Sequence, residues 1–167
     1  RVRSSAASDV YKRQIYGYTA CFRETNDSIF LNFAKDIANM IMDRVKTEDA
    51  IPYWDYDAPV TKETPRDVSA ASVTASAMIE LSTMVPDGQK YLDYAEKILK
   101  SLSSDAYLAK VGDNQGFILM HSVGSLPNGS EIDTPLNYAD YYYLEALKRF
   151  MELKKLKVEN GELRVIQ

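Results

Sequence analysis

The chain has 167 residues, of which 46% are hydrophobic and 26% charged, and its formal net charge at pH 7 is −4. These values are typical of one globular domain that is large enough to bury its own core. The negative charge, without any Lys/Arg cluster interleaved with aromatic residues, argues against nucleic acid as a partner. No apolar run approaches the roughly 20 residues that a helix needs to cross a bilayer. We therefore expect neither nucleic acid nor a membrane among the partners.

The first fourteen residues, RVRSSAASDVYKRQ, differ from the rest of the chain. They show neither hydrophobic periodicity nor the apolar segment of a signal peptide. They resemble translated adaptor sequence at the edge of an assembled read, so we interpret residues 1–14 as a non-native leader that packs against nothing. In this interpretation residues 15–154 form the domain and residues 155–167 a tail.

From residue 15 onward the apolar residues recur at three- and four-residue spacing, which predicts helices. Turn and cap residues separate them: Asn26, Asp27 and Ser28 end the first helix, Asp67 or Ser69 can cap the third, and Pro135 suits the first turn of the last. The predicted helices start at residue 15 and then span residues 29–45, 70–84, 89–102 and 136–153.

Two of these helices are related in sequence. The segment FLNFAKDI at residues 30–37 matches YLDYAEKI at residues 91–98 position by position. An internal repeat of this length indicates stacked helical pairs, which form either an open solenoid or a closed toroid.

Three polar and aromatic segments accompany the repeat: IPYWDYDAP at 51–59, PRDVSAAS at 65–72, and HSVGSLPNGSEID at 121–133, which leads into NYADYYY at 137–143. In order and spacing they resemble the C-terminal half of the unsaturated glucuronyl hydrolases, glycoside hydrolase family 88. The resemblance implies an all-α fold in which helical hairpins form about half of an (α/α)6 barrel, or toroid. The helices from residues 15, 67 and 135 would be inner, and those from residues 28 and 89 outer. Half a toroid would expose inner-helix flanks, particularly around Tyr16 and Cys21.

The resemblance also implies an activity. Enzymes of this family remove the unsaturated uronic acid that polysaccharide lyases leave at the nonreducing end of oligosaccharides, by hydrating its C4=C5 double bond. They need no cofactor and no metal. The acid/base aspartates and the Arg-Gly-Gln-x-Trp motif of the family would precede Tyr16-Gly17, where this chain reads RQIYG. We therefore assign no catalytic residue here and expect the chain to be inactive alone.

Six residues are candidates for binding an unsaturated oligosaccharide substrate, and they should lie at one end of the helical layer. An exposed indole such as Trp54 can stack on a sugar ring, and Arg66 can bind a uronate carboxylate through two parallel hydrogen bonds. Related enzymes use serines in a late loop of this type to contact the neighbouring sugar. The six candidates are Trp54, Asp55, Arg66, Ser122, Ser125 and Tyr138.

Each candidate has a structural alternative. Trp54 can plug its loop and Asp55 can form a turn. Arg66 can pair with Asp55, Asp57 or Glu131, which we slightly favour, and the serines can hydrogen-bond within their own loop. Asp67 is interpreted as a helix cap. Because the tyrosines from Tyr138 to Tyr143 span more than one helix face, some of them must be core.

Other chemistry is disfavoured by the residues themselves. The single histidine, His121, has no second His or Cys at ligand spacing, so we expect no metal site. The single cysteine, Cys21, lies in the apolar context TACF and is expected to be a buried, inert thiol. Two further functions stay open: an unsaturated rhamnogalacturonyl hydrolase of the same fold, and a non-enzymatic helical-repeat scaffold with an apolar concave groove.

Overall fold

A computed structural model describes residues 7–57 and 59–159 of the chain. Within these ranges the regular elements are all helical, and the only β pairing consists of isolated bridges between loop residues. Two short 3-10 turns, Asn114–Gly116 and Leu126–Asn128, lie in the long loop before the last helix. The α-helices are α1 (Ala7–Thr25), α2 (Ser28–Arg44), α3 (Val68–Ser82), α4 (Gln89–Leu102) and α5 (Asn137–Glu159). The all-α prediction is confirmed.

The helices form two layers. Helices α1, α3 and α5 lie side by side, with α3 in the middle, and α2 and α4 pack as hairpin partners behind α1 and α3. The predicted grouping of the helices into two layers agrees with these contacts, and which layer is the inner one stays a prediction. The two halves of the sequence repeat lie on the two outer helices, α2 and α4.

Helix α3 is the centre of the core. Its residues 68–79 are buried on every side, because small side chains allow neighbouring helices to approach it from all directions. Asp67 caps this helix by accepting a hydrogen bond from the Ser69 backbone nitrogen at 3.0 Å. Asp27 caps α2 in the same way through Ile29, also at 3.0 Å. Both caps were predicted from the sequence. For α3 the sequence left a choice between Asp67 and Ser69, and in the structure Asp67 is the cap.

The amino-terminal prediction is wrong for part of residues 1–14. Helix α1 begins at Ala7, and Tyr11 stacks on Tyr56 with 6.1 Å between ring centroids. Lys12 is 1% exposed, and its ammonium donates to Asp67 Oδ2 at 3.2 Å and Ser69 Oγ at 2.8 Å. A polar partner supplied by a distant segment leaves no trace in local periodicity, which explains the error. Residues 1–6 lie outside the described residues, and the adaptor origin stays a prediction.

Three smaller differences concern single positions. Helix α5 continues past residue 154, the predicted end of the domain, as far as Glu159. Residues 160–167 of the predicted tail lie outside the described residues. Pro135 precedes α5 instead of opening it, because Leu136 provides the first helical carbonyl acceptor. Cys21 is exposed, contrary to expectation, since its apolar sequence neighbours point to other faces of α1. The exposed thiol does agree with an open flank of α1, whereas Tyr16 is half-buried against α5.

Two glycines are expected to respond in opposite directions to substitution by alanine. A β-carbon at Gly88 would lie 1.9 Å from the Ser82 carbonyl oxygen, a backbone atom that cannot rotate away. Gly88→Ala should therefore lower the free energy of unfolding by about 1–3 kcal/mol. A β-carbon at Gly17, inside α1, would meet nothing within 4 Å. Gly17→Ala should raise the free energy of unfolding by about 0.5–1 kcal/mol.

Urea denaturation followed by circular dichroism measures both changes. The paired design separates a steric clash from the general effect of adding a methyl group. A Gly88→Ala variant as stable as the parent would show that the turn before α4 can relax.

Candidate functional site

The loops that follow α2 and α4 meet at one end of the helical layer. Asp49, in the first loop, accepts a hydrogen bond from the Tyr107 hydroxyl at 2.6 Å, and its carbonyl oxygen accepts from Ser101 Oγ at 2.7 Å. Val68, the first residue of α3, donates its backbone N–H to the His121 carbonyl oxygen at 3.2 Å. These contacts bring the two loops together beside the start of α3.

Asp55 and Arg66 line an open cleft of about 600 Å³ between the end of α2 and the loop that follows it. The Arg66 guanidinium lies over the Tyr53 ring, 4.5 Å from its centroid. Its Nη1 donates to Asp49 Oδ1 at 3.2 Å and to the Ile51 carbonyl oxygen. The expected ion pair of Arg66 therefore forms, but with Asp49 as the partner.

Two of the three expected partners of Arg66 make other contacts. Asp57 pairs with Arg44, with 2.7 Å between Oδ2 and Nη1. Asp55 accepts a hydrogen bond from the Asp57 backbone nitrogen at 2.9 Å. The antiparallel bridge between Tyr53 and Arg66 aligns the two ends of the loop, which places Arg66 beside Asp49.

Asp49 is the ionised centre of this cleft. Burial acts to raise the pKa of Asp49, but hydrogen bonds from Tyr107 and the Ile51 backbone, with the charge of Arg66, outweigh it and hold that pKa below its usual range. Burial and the hydrogen bond to Asp49 raise the pKa of the Tyr107 phenol. At neutral pH the site therefore contains a charged carboxylate, a charged guanidinium and a neutral phenol.

Trp54 and Asp55 both take part in hydrogen bonds with the loop backbone. Trp54 is half-buried and is not one of the residues that line the cleft, and its backbone nitrogen donates to the Pro65 carbonyl oxygen at 3.0 Å. Asp55 is 4% exposed, and its hydrogen bond to the Asp57 backbone is the geometry of a turn former.

The late loop holds the two serines differently. Ser122 is fully buried, its backbone pairs with Thr134 in both directions, and its hydroxyl has no hydrogen-bond partner among the described residues. Ser125 Oγ accepts from Asn128 Nδ2 at 2.7 Å, within its own loop. At the base of the loop, His121 Nδ1 lies 2.6 Å from Asp133 Oδ1.

Tyr138 lies in a second cavity, of about 380 Å³, between α1, α3 and α5. Lys12 Nζ lies 5.4 Å from the centroid of the Tyr138 ring. Tyr16 meets the Tyr142 ring edge-on at 4.9 Å and donates its hydroxyl to Glu145 Oε1 at 3.1 Å. Burial, followed by the charge of Glu145, raises the pKa of Tyr16 to about 12. Asp55 and Arg66 thus line the first cavity and Tyr138 lines the second. The other three candidates, Trp54, Ser122 and Ser125, line neither, so the six candidates share no single pocket.

Sequence analysis missed a polar network along the inner layer. Glu145 Oε2 accepts from Ser76 Oγ at 2.5 Å, and Arg149 pairs with Glu80 at 3.0 Å while donating to the Ser76 carbonyl oxygen at 2.9 Å. The sequence did indicate that these side chains are neighbours, because residues 138, 142, 145 and 149 are spaced to share one face of α5. Asp49 carried no comparable signal, since its partners come from separate segments.

Residues 7–57 and 59–159 contain neither a metal-binding cluster nor a helix that could span a membrane. No group of three or more His, Cys, Asp or Glu side chains there is arranged to hold a metal ion. No helix in those ranges is long and apolar enough to cross a membrane.

Comparison with known proteins places these features in a family. A family model described as glycosyl hydrolase family 47 matches residues 9–155, which assigns the chain to the glycoside hydrolases. The unsaturated glucuronyl hydrolase of Formosa agariphila is 44% identical over 140 residues, which are 83% of this chain and 35% of that protein. A crystal structure of an unsaturated glucuronyl hydrolase specific for heparin matches with a TM-score of 0.86 and 56% identity, over 89% of this chain and 40% of that one. The chain belongs to the glycoside hydrolase family of that model, and the relatives that it resembles in sequence and in structure are unsaturated glucuronyl hydrolases.

The matched family model and the sequence motifs give different family numbers. The matched model carries the number 47, whereas the motifs indicated family 88. Both numbers denote glycoside hydrolases, and the relatives specify the kind, because they align residue by residue at 44% and 56% identity. The unsaturated glucuronyl hydrolase of Bacillus sp. GL1 agrees, with a TM-score of 0.79 and 28% identity over 85% of this chain and 38% of that one.

The structural neighbours are (α/α)6 toroids, which confirms the fold expected from the motifs. The chain spans only 35% to 40% of the length of the relatives given above. The chain therefore corresponds to less than half of each of these unsaturated glucuronyl hydrolases.

Proposed function

We propose that this chain is the C-terminal part of a hydrolase that removes an unsaturated uronic acid from the nonreducing end of lyase-generated oligosaccharides. The observation that carries the proposal is the 56% identity, with a TM-score of 0.86, to an unsaturated glucuronyl hydrolase specific for heparin. The Bacillus sp. GL1 relative is described as responsible for the degradation of glycosaminoglycan. Glycosaminoglycan oligosaccharides are therefore the substrate class that we assign.

The reaction is hydration of the C4=C5 double bond of the uronic acid. A proton is added to C4 and water to C5, and the resulting hemiketal collapses and releases the neighbouring sugar. Proton delivery needs an acid positioned within hydrogen-bonding distance of the reacting atom. No residue of this chain is assigned that role, so its contribution is to bind and orient the substrate.

Arg66 and Asp55 support this binding role most directly, because both line the cleft at the rim of the helical layer. With Tyr53 beneath it and Asp49 beside it, the guanidinium of Arg66 has a fixed orientation. Tyr138 contributes from the cavity between the inner helices. The proposed binding roles of Trp54, Ser122 and Ser125 rest on the sequence alone. Ser122 can act only by shaping its loop, because its side chain is buried.

A chimera tests the function. The upstream segment of the Formosa agariphila relative is joined to residues 7–167 of this chain, which keeps α1 whole, and an unsaturated glycosaminoglycan disaccharide is supplied. We expect the chimera to bleach the absorbance of the C4=C5 double bond, and the 167-residue chain alone to give no turnover. A folded chimera without turnover would overturn the proposal, and turnover by the chain alone would overturn the assignment of catalysis to the upstream segment.

In the active chimera, Trp54→Ala is expected to raise KM and leave kcat unchanged. Loss of a stacking contact of about 0.5–1.5 kcal/mol corresponds to a roughly 2- to 12-fold increase in KM. Val111→Ala, at a fully exposed loop position, is the matched control and should leave both constants unchanged. Unchanged kinetics in the Trp54 variant would reduce Trp54 to a plug of its loop.

A further inference from the structure

The single histidine of the chain has a strained backbone in the late loop, residues 121–133. His121 has a φ of 66°, in the left-handed region where the β-carbon of an L-residue is crowded. Glycine would take this conformation without that cost. Other residues keep it only where the surrounding structure fixes them, and they cluster at active sites and ligand clamps. The strain makes the His121 side chain a candidate for function.

The backbone on both sides of His121 is held by hydrogen bonds. Asp140, in the first turn of α5, accepts from the backbone nitrogens of residues 118 and 119 at 2.8 Å and 2.9 Å. The His121 carbonyl oxygen accepts from Val68 at 3.2 Å, and the backbone of Ser122 pairs in both directions with the far side of the loop. None of these bonds involves the imidazole, so they hold the loop without the His121 side chain.

The imidazole forms an accessible pair with the Asp133 carboxylate. Nδ1 of His121 lies 2.6 Å from Asp133 Oδ1, and the two side chains are 43% and 60% exposed. An ionised carboxylate only accepts hydrogen bonds, so Nδ1 carries the proton and Nε2 of the neutral ring is an acceptor. Neither Nε2 nor Asp133 Oδ2 makes a hydrogen bond within the part of the chain that the structure describes. The pair therefore presents two neighbouring acceptors to solvent.

Two neighbouring acceptors select the chemistry of the ligand. The hydroxyl groups of a sugar can donate to both, whereas a sulfate has only acceptors and would meet the negative charge of Asp133. The pair lies at the same end of the helical layer as the Arg66 cleft. The Tyr107 ring meets the His121 ring edge-on, with 6.4 Å between centroids, and its hydroxyl donates to Asp49, the partner of Arg66.

We propose that the His121–Asp133 pair binds hydroxyl groups of the oligosaccharide, with Nε2 of His121 accepting one of them. Asp133 positions the ring by holding the proton on Nδ1. The proposal rests on the proposed function for the kind of ligand. It adds that the sugar at this position carries a free hydroxyl group instead of a sulfate.

Nitrogen NMR of the 167-residue chain tests the pair, because one histidine gives one pair of ring signals. At about pH 8, where an ordinary imidazole is uncharged, we expect the proton on Nδ1. An unsulfated, unsaturated chondroitin disaccharide should shift the Nε2 signal and leave Nδ1 protonated. Inorganic sulfate at the same concentration should shift neither signal.

Two glycine variants separate binding from support of the loop. His121→Gly should raise the dissociation constant of the disaccharide, measured from its own NMR signals, about 2- to 12-fold, because one hydrogen bond is lost. It should keep or raise the thermal midpoint, because the strain is relieved and an exposed ion pair contributes little. Gln115→Gly is the matched control, since Gln115 is exposed and has a φ of 56°. It should relieve strain in the same way and leave binding unchanged.

A proton on Nε2, or an Nε2 signal that the disaccharide leaves unchanged, would overturn the proposal. So would a response to sulfate, which would indicate an anion site, or a His121→Gly variant that binds as tightly as the parent. Binding through His121, in a chain whose folded chimera gives no turnover, would support the pair and contradict the proposed activity. The two failures are therefore distinguishable.

Discussion

Asp67→Ala is expected to lower the free energy of unfolding by about 3–5 kcal/mol, as breaking a buried ion pair does. Loss of the α3 cap alone would cost about 0.5–2 kcal/mol. The larger figure follows because Asp67 is 1% exposed and its Oδ2 lies 3.2 Å from the ammonium of the buried Lys12. The substitution leaves that ammonium in the interior without this carboxylate.

Urea denaturation at neutral pH measures the effect, with Asp27→Ala as the control. Asp27 caps α2 through the same hydrogen bond to a backbone nitrogen, but it lies at an exposed position. We expect the control to cost about 1 kcal/mol. Equal losses in the two variants would mean that the Lys12 pair contributes nothing. Adding Lys12→Met to the Asp67 variant should recover part of the loss, since no buried charge then remains at this position.

The free energy of unfolding is expected to fall steeply as the pH rises above about 10. Burial raises the pKa of Tyr94 to about 12, whereas a phenol in the unfolded chain titrates near 10. Between these values the unfolded state loses its proton and the folded state keeps it. The stability is therefore fully present below about pH 10 and is lost as the pH rises through the folded pKa.

The expected loss from Tyr94 alone is about 3 kcal/mol between pH 10 and 12, at roughly 1.4 kcal/mol per pH unit. Burial also raises the pKa values of Tyr56 and Tyr107, which adds to the loss. Guanidinium denaturation at a series of pH values measures the slope. Tyr94→Phe should make it shallower, while Tyr141→Phe, at a ring that is 58% exposed, should leave it unchanged. A slope unaffected by Tyr94→Phe would contradict the assignment.

Local sequence was a reliable guide to the helices and a poor guide to the partners of single side chains. The hydrophobic spacing and the caps Asp27 and Asp67 predicted helix positions to within a few residues from α2 onward. Arg66 was expected to form an ion pair, but its partner Asp49 lies in the part of the loop that the bridge at Tyr53 folds back. Such a pairing depends on the path of the loop, which local sequence does not encode.

The all-α class, the repeat on α2 and α4 and the family resemblance could be predicted from the sequence, because each depends on residues at fixed spacing along the chain. The packing of the helices was needed to show that Lys12 is buried against Asp67, that Ser122 is inaccessible and that Cys21 is exposed. It also showed that the six candidate residues do not line one shared cavity. The physical reason is that burial and pairing depend on segments that are apart in sequence, such as those of Lys12 and Asp67, which are 55 positions apart and approach one another only when the helices pack.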